Sequence, residues 1–289
     1  EHRAGQAACD SVSYANAKEK RMISNTGKWS YEEATCRNRG LVDATEQDTL
    51  RRATVGIAGV GAVGGNYALT LARMGIGGFV LADPDRFETV NLQRQVGAFR
   101  DTLGQNKAQV MADMIKSINP EARVRCLQRP FDAVCAEEFF SGVNLALDGI
   151  DFFQIQDRRT YYREARRRGL PVINSAPIGY GATLQIFSPD GMAFDEYFGI
   201  RDDMTSAQMV LSFGIGLLPR MPVGWMLSSA WAALTGREMP GTMPRAAVFE
   251  GEELDIEERR VPAIASAMAL SAGVVAPEVL RILLNRGAS

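Results

Sequence analysis

Short apolar runs alternate with longer amphipathic stretches through residues 51–188. Each run has the length and apolar content of a buried strand, and the runs lie at residues 55–58, 79–82, 143–147, 172–174 and 182–187. The stretches between them, such as residues 158–168, have the apolar spacing of helices that cover a core. Strands that alternate with helices favour an α/β fold, so we expect a mostly parallel, doubly wound sheet with helices on both faces.

The last hundred residues are less regular. Apolar segments occur at residues 209–218, 225–234 and 263–284. The last segment is rich in small side chains and therefore only weakly hydrophobic, so we expect a helix that closes the sheet or forms a dimer interface, and not a membrane span. Pro277 can begin a new helix within this segment, and residues 190–203 are predicted to form a loop.

A glycine-rich turn follows the first predicted strand. Gly59, Gly61 and Gly64 separate this strand from a helix, with Ala62 inside the turn. Glycines let the backbone approach a phosphate, and free N–H groups at a helix N-terminus bind anions. Asp83 ends the next strand, where a carboxylate can accept hydrogen bonds from ribose hydroxyls. The arrangement predicts a Rossmann-like nucleotide site, and a tight turn without a ligand is the alternative.

Further polar residues suit a triphosphate better than a dinucleotide. Asn91, Arg94 and Lys107 follow the second strand, and Asp148 and Asp151 follow the strand at residues 143–147. An arginine can bind phosphate oxygens through two N–H groups, and a lysine acts as a point charge. Carboxylates at the same edge of the sheet are suited to Mg²⁺, which takes one or two of them together with phosphate oxygens. We therefore expect ATP and Mg²⁺ as ligands.

These motifs resemble the ThiF/MoeB/HesA family, the bacterial relatives of ubiquitin-activating enzymes. The residues that carry the resemblance are Gly59, Gly61, Gly64, Asp83, Asp85, the segment Asn91-Leu92-Gln93-Arg94-Gln95, Lys107 and Asp148-Gly149-Ile150-Asp151. The resemblance implies that Asp83 binds the ATP ribose and that Asp151 ligates Mg²⁺. It implies that Arg94 and Lys107 hold the phosphates, and it includes Asp85, Asn91 and Asp148 in the nucleotide site.

Members of this family use ATP to adenylate a carboxylate, usually the C-terminal glycine of a small ubiquitin-like or sulfur-carrier protein. In relatives an arginine of the N-terminal helix pair reaches across a homodimer into the partner's ATP site. Arg37 is the candidate for this role and Arg39 the second choice, with a solvated helix charge as the alternative. We expect residues 1–28 to form a mobile arm. Residues 29–289 are then a single adenylation domain, with residues 190–260 as a crossover loop and interface region.

The chain also departs from the family pattern. Phe152 stands where the family often has asparagine, and the basic residues that follow come late, at Arg158 and Arg159. There is no CxxC pair, and the four cysteines all lie in the first half, at positions 9, 36, 126 and 135. The sequence therefore excludes the family's usual zinc site and a thioester step through a late cysteine.

Composition narrows the choice of partners. The chain has 289 residues and a net charge of −2, so it lacks the basic excess of a nucleic-acid-binding protein, and we expect no nucleic-acid or membrane partner. Cysteines without a disulfide pattern suggest a reducing cytoplasm.

Three functions remain open from the sequence. The first is an ATP- and Mg²⁺-dependent adenylyltransferase that acts on the C-terminus of a carrier protein or peptide and releases pyrophosphate. The second uses the same chemistry on a small carboxylate carried by tRNA, because Gly104-Gln105-Asn106-Lys107 and Ile118-Asn119-Pro120-Glu121 resemble the threonylcarbamoyl-adenosine dehydratase branch. The third is an NAD-dependent oxidoreductase or a degenerate nucleotide-binding scaffold.

Overall fold

The computed structural model describes residues 28–217 and 263–287. Its strands are β1 (Thr54–Ala58), β2 (Gly78–Ala82), β3 (Arg123–Leu127), β4 (Leu145–Asp148), β5 (Val172–Asn174), β6 (Pro177–Ile178), β7 (Gly181–Ala182) and β8 (Gln185–Phe187). Within this part of the chain, six strands form one sheet in the order β3-β2-β1-β4-β5-β8. Neighbours from β3 to β5 pair in parallel, and β8 joins the edge antiparallel. Strands β6 and β7 form a separate hairpin.

Helices precede, connect and follow the strands. They are α1 (Tyr31–Ala34), α2 (Ala44–Arg52), α3 (Ala62–Arg73), α4 (Lys107–Ile118), α5 (Ala136–Phe140), α6 (Ile155–Arg167), α7 (Phe194–Tyr197), α8 (Ser206–Leu217) and α9 (Ala265–Leu283). Short 3₁₀ turns occur at Cys36–Asn38, Thr89–Asn91 and Arg100–Thr102.

The sheet has a hydrophobic core on each face. Along β4, Leu145 and Leu147 belong to the core that contains side chains of α3, α4 and α9. Ala146 points the other way, into the core formed with α5, α6 and α8. Successive side chains of a strand alternate between the two faces of a sheet, so a strand that is apolar throughout must be covered on both. This confirms the doubly wound α/β fold.

Two predicted bounds differ from the structure around the edge strand. The loop predicted at residues 190–203 contains the short helix α7, because Phe194 and Phe198 are buried in an aromatic cluster that orders this segment. The strand predicted at residues 182–187 is divided between β7 and β8. Gly179, with a φ of +55°, lies in the turn between β6 and β7 and allows the chain to reverse there.

Helix α9 is continuous, so the prediction that Pro277 begins a new helix is wrong. The proline lies on the exposed side, and Gly273, four residues earlier, is also exposed, so water can bind the carbonyl that the proline leaves unpaired. This helix is long and apolar enough to cross a membrane, but core helices pass the same test. Its other side joins the core through Ala267, Met268, Ser271, Ala272, Val275, Ala276 and Val279.

The chain divides into two compact units, residues 1–37 and residues 38–289. The sequence places the end of an N-terminal arm earlier, at residue 28. That arm, except for its last residue, lies outside the described residues, as does the apolar segment predicted at residues 225–234. The sheet and all of the predicted site residues except Arg37 belong to the second unit.

Candidate functional site

The glycine turn between β1 and α3 brings two stretches of backbone into direct contact. Gly59 has a φ of +78°, which only glycine adopts without strain. A Cβ at Gly59 would lie closer than 3.0 Å to the carbonyl oxygen of Gly149, and a Cβ at Gly64 equally close to that of Gly59. Helix α3 begins at Ala62, and no side chain caps its first turn. The N–H groups of its first turn are therefore available to a phosphate.

Asp83 holds this turn from the neighbouring strand. Its Oδ2 accepts a hydrogen bond of 2.8 Å from the N–H of Val60, and its Oδ1 accepts one of 2.9 Å from the N–H of Asp85. The side chain is buried, and burial raises the pKa of the Asp83 carboxyl above its ordinary value, opposed by these N–H groups and by Lys107. Asp83 therefore shapes the turn, and its contact with a ribose remains a prediction.

Lys107 is the first residue of α4 and is buried although it is charged. Its Nζ lies 3.0 Å from Asp85 Oδ2, and its N–H donates to the carbonyl oxygen of Asp85 at 2.8 Å. Asn106 precedes it as the helix cap and donates to the carbonyl oxygen of Asp83. The ammonium group is thus fixed beside the end of β2. Its partner, the Asp85 carboxylate, is exposed, so a ligand bound beside the glycine turn could also contact the Lys107 ammonium.

Asn91 and Arg94 lie in the segment after β2, and their contacts with a nucleotide remain predictions. Asn91 is buried, and its Oδ1 accepts a hydrogen bond of 2.9 Å from the N–H of Glu88, so it first of all stabilises its own turn. Arg94 donates to the carbonyl oxygen of Val90 at 3.0 Å and makes no ion pair within the described ranges. Its positive charge therefore lacks a carboxylate partner there.

Gln95 was not predicted as a site residue, although it belongs to the quoted motif. Its side chain is buried, and its Oε1 finds no hydrogen-bond partner among the residues that the structure describes. The amide lies 3.4–3.5 Å from the place where a Cβ of Gly61 would be, and Val96 similarly faces Gly65. A buried side-chain oxygen without a hydrogen-bond partner is rare in folded proteins. Its position beside the glycine turn is consistent with a missing polar ligand.

The structure gives Asp148 a different role from the predicted nucleotide contact. This aspartate is buried at the end of β4, and its Oδ1 accepts a hydrogen bond from the N–H of Ile150 at 3.0 Å. Its Oδ2 binds Arg158 Nε at 2.8 Å and the Tyr162 hydroxyl at 3.0 Å. Burial beside Asp148 raises the pKa of Tyr162 well above its ordinary value, so the phenol remains a donor. Both oxygens are used inside the protein.

Sequence analysis noted Arg158 only as a departure from the family pattern. The helical spacing contained the missing signal, because Ile155, Arg158, Tyr162 and Ala165 share one side of α6, and all four are buried. A charged residue on an apolar helix face needs a buried partner of opposite charge. Asp148, ten residues earlier, supplies that partner.

Asp151 projects from the same loop but remains exposed. Its Oδ1 accepts a hydrogen bond of 3.0 Å from the N–H of Phe153, and it forms no ion pair with any residue whose structure is described. Two segments lie against the glycine turn: Gly149, two residues before Asp151, touches Gly59, and Gln95, next to Arg94, lies beside Gly61. Lys107 is connected to the turn only indirectly, through Asp85, which follows the Asp83 that binds Val60.

The residues present fit ATP with Mg²⁺. The described chain contains no group of three or more histidine, cysteine, aspartate or glutamate side chains that could hold a metal alone. Mg²⁺ bound to a nucleotide needs only one or two carboxylates, because phosphate oxygens and water supply its other ligands. Asp151 is an exposed carboxylate without a competing cation and is our candidate for that ligand.

Arg37 belongs to the other compact unit, so its predicted place in a partner's site stays a prediction. It lies in the 3₁₀ turn Cys36–Asn38 and is exposed. Arg39, the second choice, is also exposed.

Comparisons with known proteins point to one family. The model of the ThiF family matches residues 35–289. The tRNA threonylcarbamoyladenosine dehydratase of Bacillus subtilis is 34% identical over 140 residues, which are 48% of this chain and 54% of the relative. The sulfur carrier protein ThiS adenylyltransferase of Escherichia coli is 28% identical over 143 residues, which are 50% of this chain and 56% of the relative. The chain thus spans about half the length of these curated relatives.

A solved structure shows the same fold. The E. coli tRNA N6-threonylcarbamoyladenosine dehydratase in complex with ATP superimposes with a TM-score of 0.59 at 21% identity, covering 88% of this chain and 95% of that one. At this identity the likeness concerns the fold alone. The family model, by contrast, covers most of the sequence, including the glycine turn and both acidic strand ends. The chain therefore belongs to the ThiF family.

Proposed function

We propose that this protein uses ATP to adenylate a carboxylate and releases pyrophosphate. One observation carries the proposal: the glycine turn before an uncapped helix N-terminus lies against Gln95 and Gly149, and the segments that contain these two residues also carry Arg94 and the exposed Asp151. Together with Lys107 beside the end of the neighbouring strand, such a set can neutralise a triphosphate and leaves a carboxylate for its metal ion. A dinucleotide, with fewer charges, would leave the arginine without a role.

In the proposed reaction, an oxygen of the substrate carboxylate attacks the α-phosphorus of ATP in line and forms an acyl adenylate. The bond from the α-phosphorus to the bridging oxygen breaks, and pyrophosphate leaves with its electron pair. Arg94, Lys107 and the N–H groups of α3 stabilise the charge that develops on the phosphate oxygens. Mg²⁺, held by Asp151, would neutralise the leaving group.

This chemistry needs no nucleophile from the protein. Catalysis rests on positioning and charge neutralisation. Burial raises the pKa of the Cys126 and Cys135 thiols above their ordinary values, which keeps them protonated and weakly reactive. The adenylate is therefore passed to an outside nucleophile.

The comparisons support a carboxylate carried by tRNA as the first substrate candidate. Relatives named tRNA threonylcarbamoyladenosine dehydratase reach 34% identity, above the 28% of the ThiS adenylyltransferase. The low net charge led us to expect no nucleic-acid partner, and these relatives weaken that expectation. On α6, Arg163 is paired with Asp195, and Arg167 and Arg168 are paired with Glu164, so a tRNA would need phosphate contacts beyond these three arginines.

The C-terminus of a small sulfur-carrier or ubiquitin-like protein is the second candidate. The ThiS adenylyltransferase and a SAMP-activating enzyme of Haloferax volcanii, both at 28% identity, support it. An NAD-dependent oxidoreductase is the weakest of the three functions that the sequence leaves open, since membership in the ThiF family gives it no support.

Calorimetry on wild type and Arg94→Ala, with ATP plus Mg²⁺ and separately with NAD⁺, tests the nucleotide. Arg73→Ala is the matched control, because this exposed arginine lies at the opposite end of α3. We expect ATP to bind to wild type and the control, with a loss of about tenfold or more in Arg94→Ala. Binding of NAD⁺ that is indifferent to Arg94→Ala would refute the proposal.

The substrate is tested by exchange of labelled pyrophosphate into ATP. Two probes are compared, tRNA that carries threonylcarbamoyladenosine and a purified ThiS-type sulfur-carrier protein. Exchange that depends on the tRNA supports the first candidate, and exchange that depends on the carrier protein supports the second. A carrier truncated by its last residue is the control for the second probe.

A further inference from the structure

One guanidinium holds the whole loop between β4 and α6. Arg158 is buried on the first turn of α6, and its Nη1 donates to the carbonyl oxygens of Asp151 at 3.2 Å and Phe152 at 3.4 Å. Its Nη2 donates to the carbonyl oxygen of Ile150. Carbonyl groups of consecutive residues therefore converge on one cation. An isolated loop would not keep this arrangement, because neighbouring carbonyl dipoles repel one another when they point to the same place.

The Arg158 guanidinium is itself held in place by a carboxylate and an aromatic ring. Asp148 binds its Nε at 2.8 Å and is in turn held by the Tyr162 hydroxyl at 3.0 Å. The ring of Phe213 covers the guanidinium, and the ring centre lies 4.4 Å from Arg158 Cζ. Arginine suits this place because its planar fork presents donors in fixed directions, which a lysine ammonium does not.

The loop that Arg158 shapes also rests on the glycine turn. The N–H of Gly149 donates to the carbonyl oxygen of Ala58 at 2.8 Å, and Gly149 has no room for a side chain against Gly59. With its backbone held on one side by the turn and on the other by Arg158, the loop presents the Asp151 side chain outward. The carbonyl oxygen of Asp151 faces Arg158, while its carboxylate is left for a ligand.

We propose that Arg158, anchored by Asp148 and Tyr162, is the positioning residue for Asp151 and thereby sets how strongly Mg²⁺ strengthens ATP binding. The inference rests on the proposed function, since it concerns the same site. It assigns Asp148 to the support of the loop and not to the nucleotide. Mutation of a group that orients a metal ligand typically lowers metal affinity about 10–100-fold.

Arg159 offers a matched control. It is adjacent on α6 and equally buried, but its guanidinium binds the carboxylates of Asp195 and Asp202 and none of the loop carbonyls that Arg158 holds. Arg158→Lys and Arg159→Lys therefore each replace a buried, planar guanidinium by an ammonium group. Only the first substitution affects contacts with the loop that carries Asp151.

The test is calorimetric binding of ATP with EDTA and with excess Mg²⁺, which gives the factor by which Mg²⁺ raises affinity. We expect Asp151→Asn to abolish this factor, and Arg158→Lys to lower it about 10–100-fold. Arg159→Lys should keep it, and the affinity measured in EDTA should be the same in all variants. Hydrogen exchange of the Phe153 amide should become faster in Arg158→Lys and stay unchanged in Arg159→Lys.

Tyr162→Phe keeps the proposal testable if Arg158→Lys does not fold, because it removes only the hydroxyl that holds Asp148. We expect a smaller decrease of the Mg²⁺ factor in this variant. A wild-type factor in every folded variant of Arg158 and Tyr162 would overturn the inference, while loss of the factor in Asp151→Asn would leave the proposed function standing. Failure of wild type to bind ATP at all would refute the proposed function itself.

Discussion

Gly59 and Gly149 face each other at the ends of β1 and β4 so closely that neither position has room for a side chain. A Cβ at either residue would lie closer than 3.0 Å to the carbonyl oxygen of the other. The two strands are neighbours in the sheet, so this contact joins the glycine turn to the loop that carries Asp151. The two halves of the proposed site are thus fixed to each other through backbone alone.

Substitution of Gly149 should therefore be costly. We expect Gly149→Ala to lower the free energy of unfolding by about 1–3 kcal/mol, because the added methyl group overlaps the backbone of Gly59 and forces both loops apart. Gly273→Ala is the control, since a Cβ there meets nothing within 4 Å on the exposed side of α9. It should stabilise the protein by about 0.5–1 kcal/mol. Urea denaturation measures both, and equal stability of the two variants would contradict the packing argument.

Substitution of the two aspartates at the end of β4 should have different effects: one should lower stability and the other should weaken ligand binding. Asp148→Asn leaves the buried Arg158 without its counter-charge, so we expect a loss of roughly 3–5 kcal/mol in the free energy of unfolding. Asp151→Asn changes an exposed side chain and should leave that free energy within about 0.5 kcal/mol of wild type. Urea denaturation gives the first quantity and calorimetry the Mg²⁺ dependence of ATP binding. Equal destabilisation by both changes would show that the roles are not divided in this way.

Asp83 predicts a dependence of stability on pH. Burial raises the pKa of its carboxyl in the folded protein above the ordinary value of 3.8, so the folded state binds the proton more tightly than the unfolded chain. Its contribution to stability is then fully present below the unfolded pKa and is lost as pH rises through the folded pKa. Asp83→Asn removes this titration.

We therefore expect stability to shift in favour of Asp83→Asn as pH rises from about 4 towards neutrality. Urea denaturation of both proteins at a series of pH values checks this. A difference in the free energy of unfolding between the two proteins that does not change with pH would contradict the prediction. Asp113→Asn, which changes an exposed aspartate on α4, is the control for a general effect of charge.

The predicted homodimer can be tested by mixing variants. If Arg37 completes the site of a partner, Arg37→Ala and Asp151→Asn should each be inactive in pyrophosphate exchange. Dimers that contain one chain of each kind carry one intact site, so mixing should restore roughly a quarter of the wild-type rate. Arg94→Ala mixed with Asp151→Asn is the control, because both residues belong to the same chain's site and no intact site can form. Absence of recovery in the first mixture would place Arg37 outside the site.

The alternation of strands with helices and the glycine turn could be predicted from the sequence because both depend on local signals, whereas β3, in which two arginines alternate with apolar residues, was not predicted. Apolar runs predict β1 and β2 within one residue, and the predicted helix at residues 158–168 overlaps most of α6. Alternation of these elements then limits the topology to a doubly wound sheet. The edge strand β8 was harder to predict, because it is short, antiparallel and partly exposed.

The structural role of Asp148 could not be predicted from the residues adjacent to it in the sequence. Its spacing from Asp151 fits a pair of ligands, and only the fold shows that one carboxylate turns inward to Arg158 and the other outward. The unpaired Oε1 of Gln95 is a similar case, because the fold decides whether a polar atom is buried and whether a partner lies near it. Sequence patterns fix which residue types are near one another, whereas the direction of each side chain depends on packing.

The last described helix is packed against the first helix of the nucleotide turn. The core shared by α3 and α9 includes Leu71 on the first and Val275 and Val279 on the second. About 190 residues separate the end of α3 at Arg73 from the start of α9 at Ala265. A ribosome adds these in roughly 10–40 s, during which α3 can pack on the sheet and α4 but the part of its apolar surface that α9 covers stays exposed. Each newly made chain therefore passes through a period in which chaperones can bind the half-finished nucleotide domain.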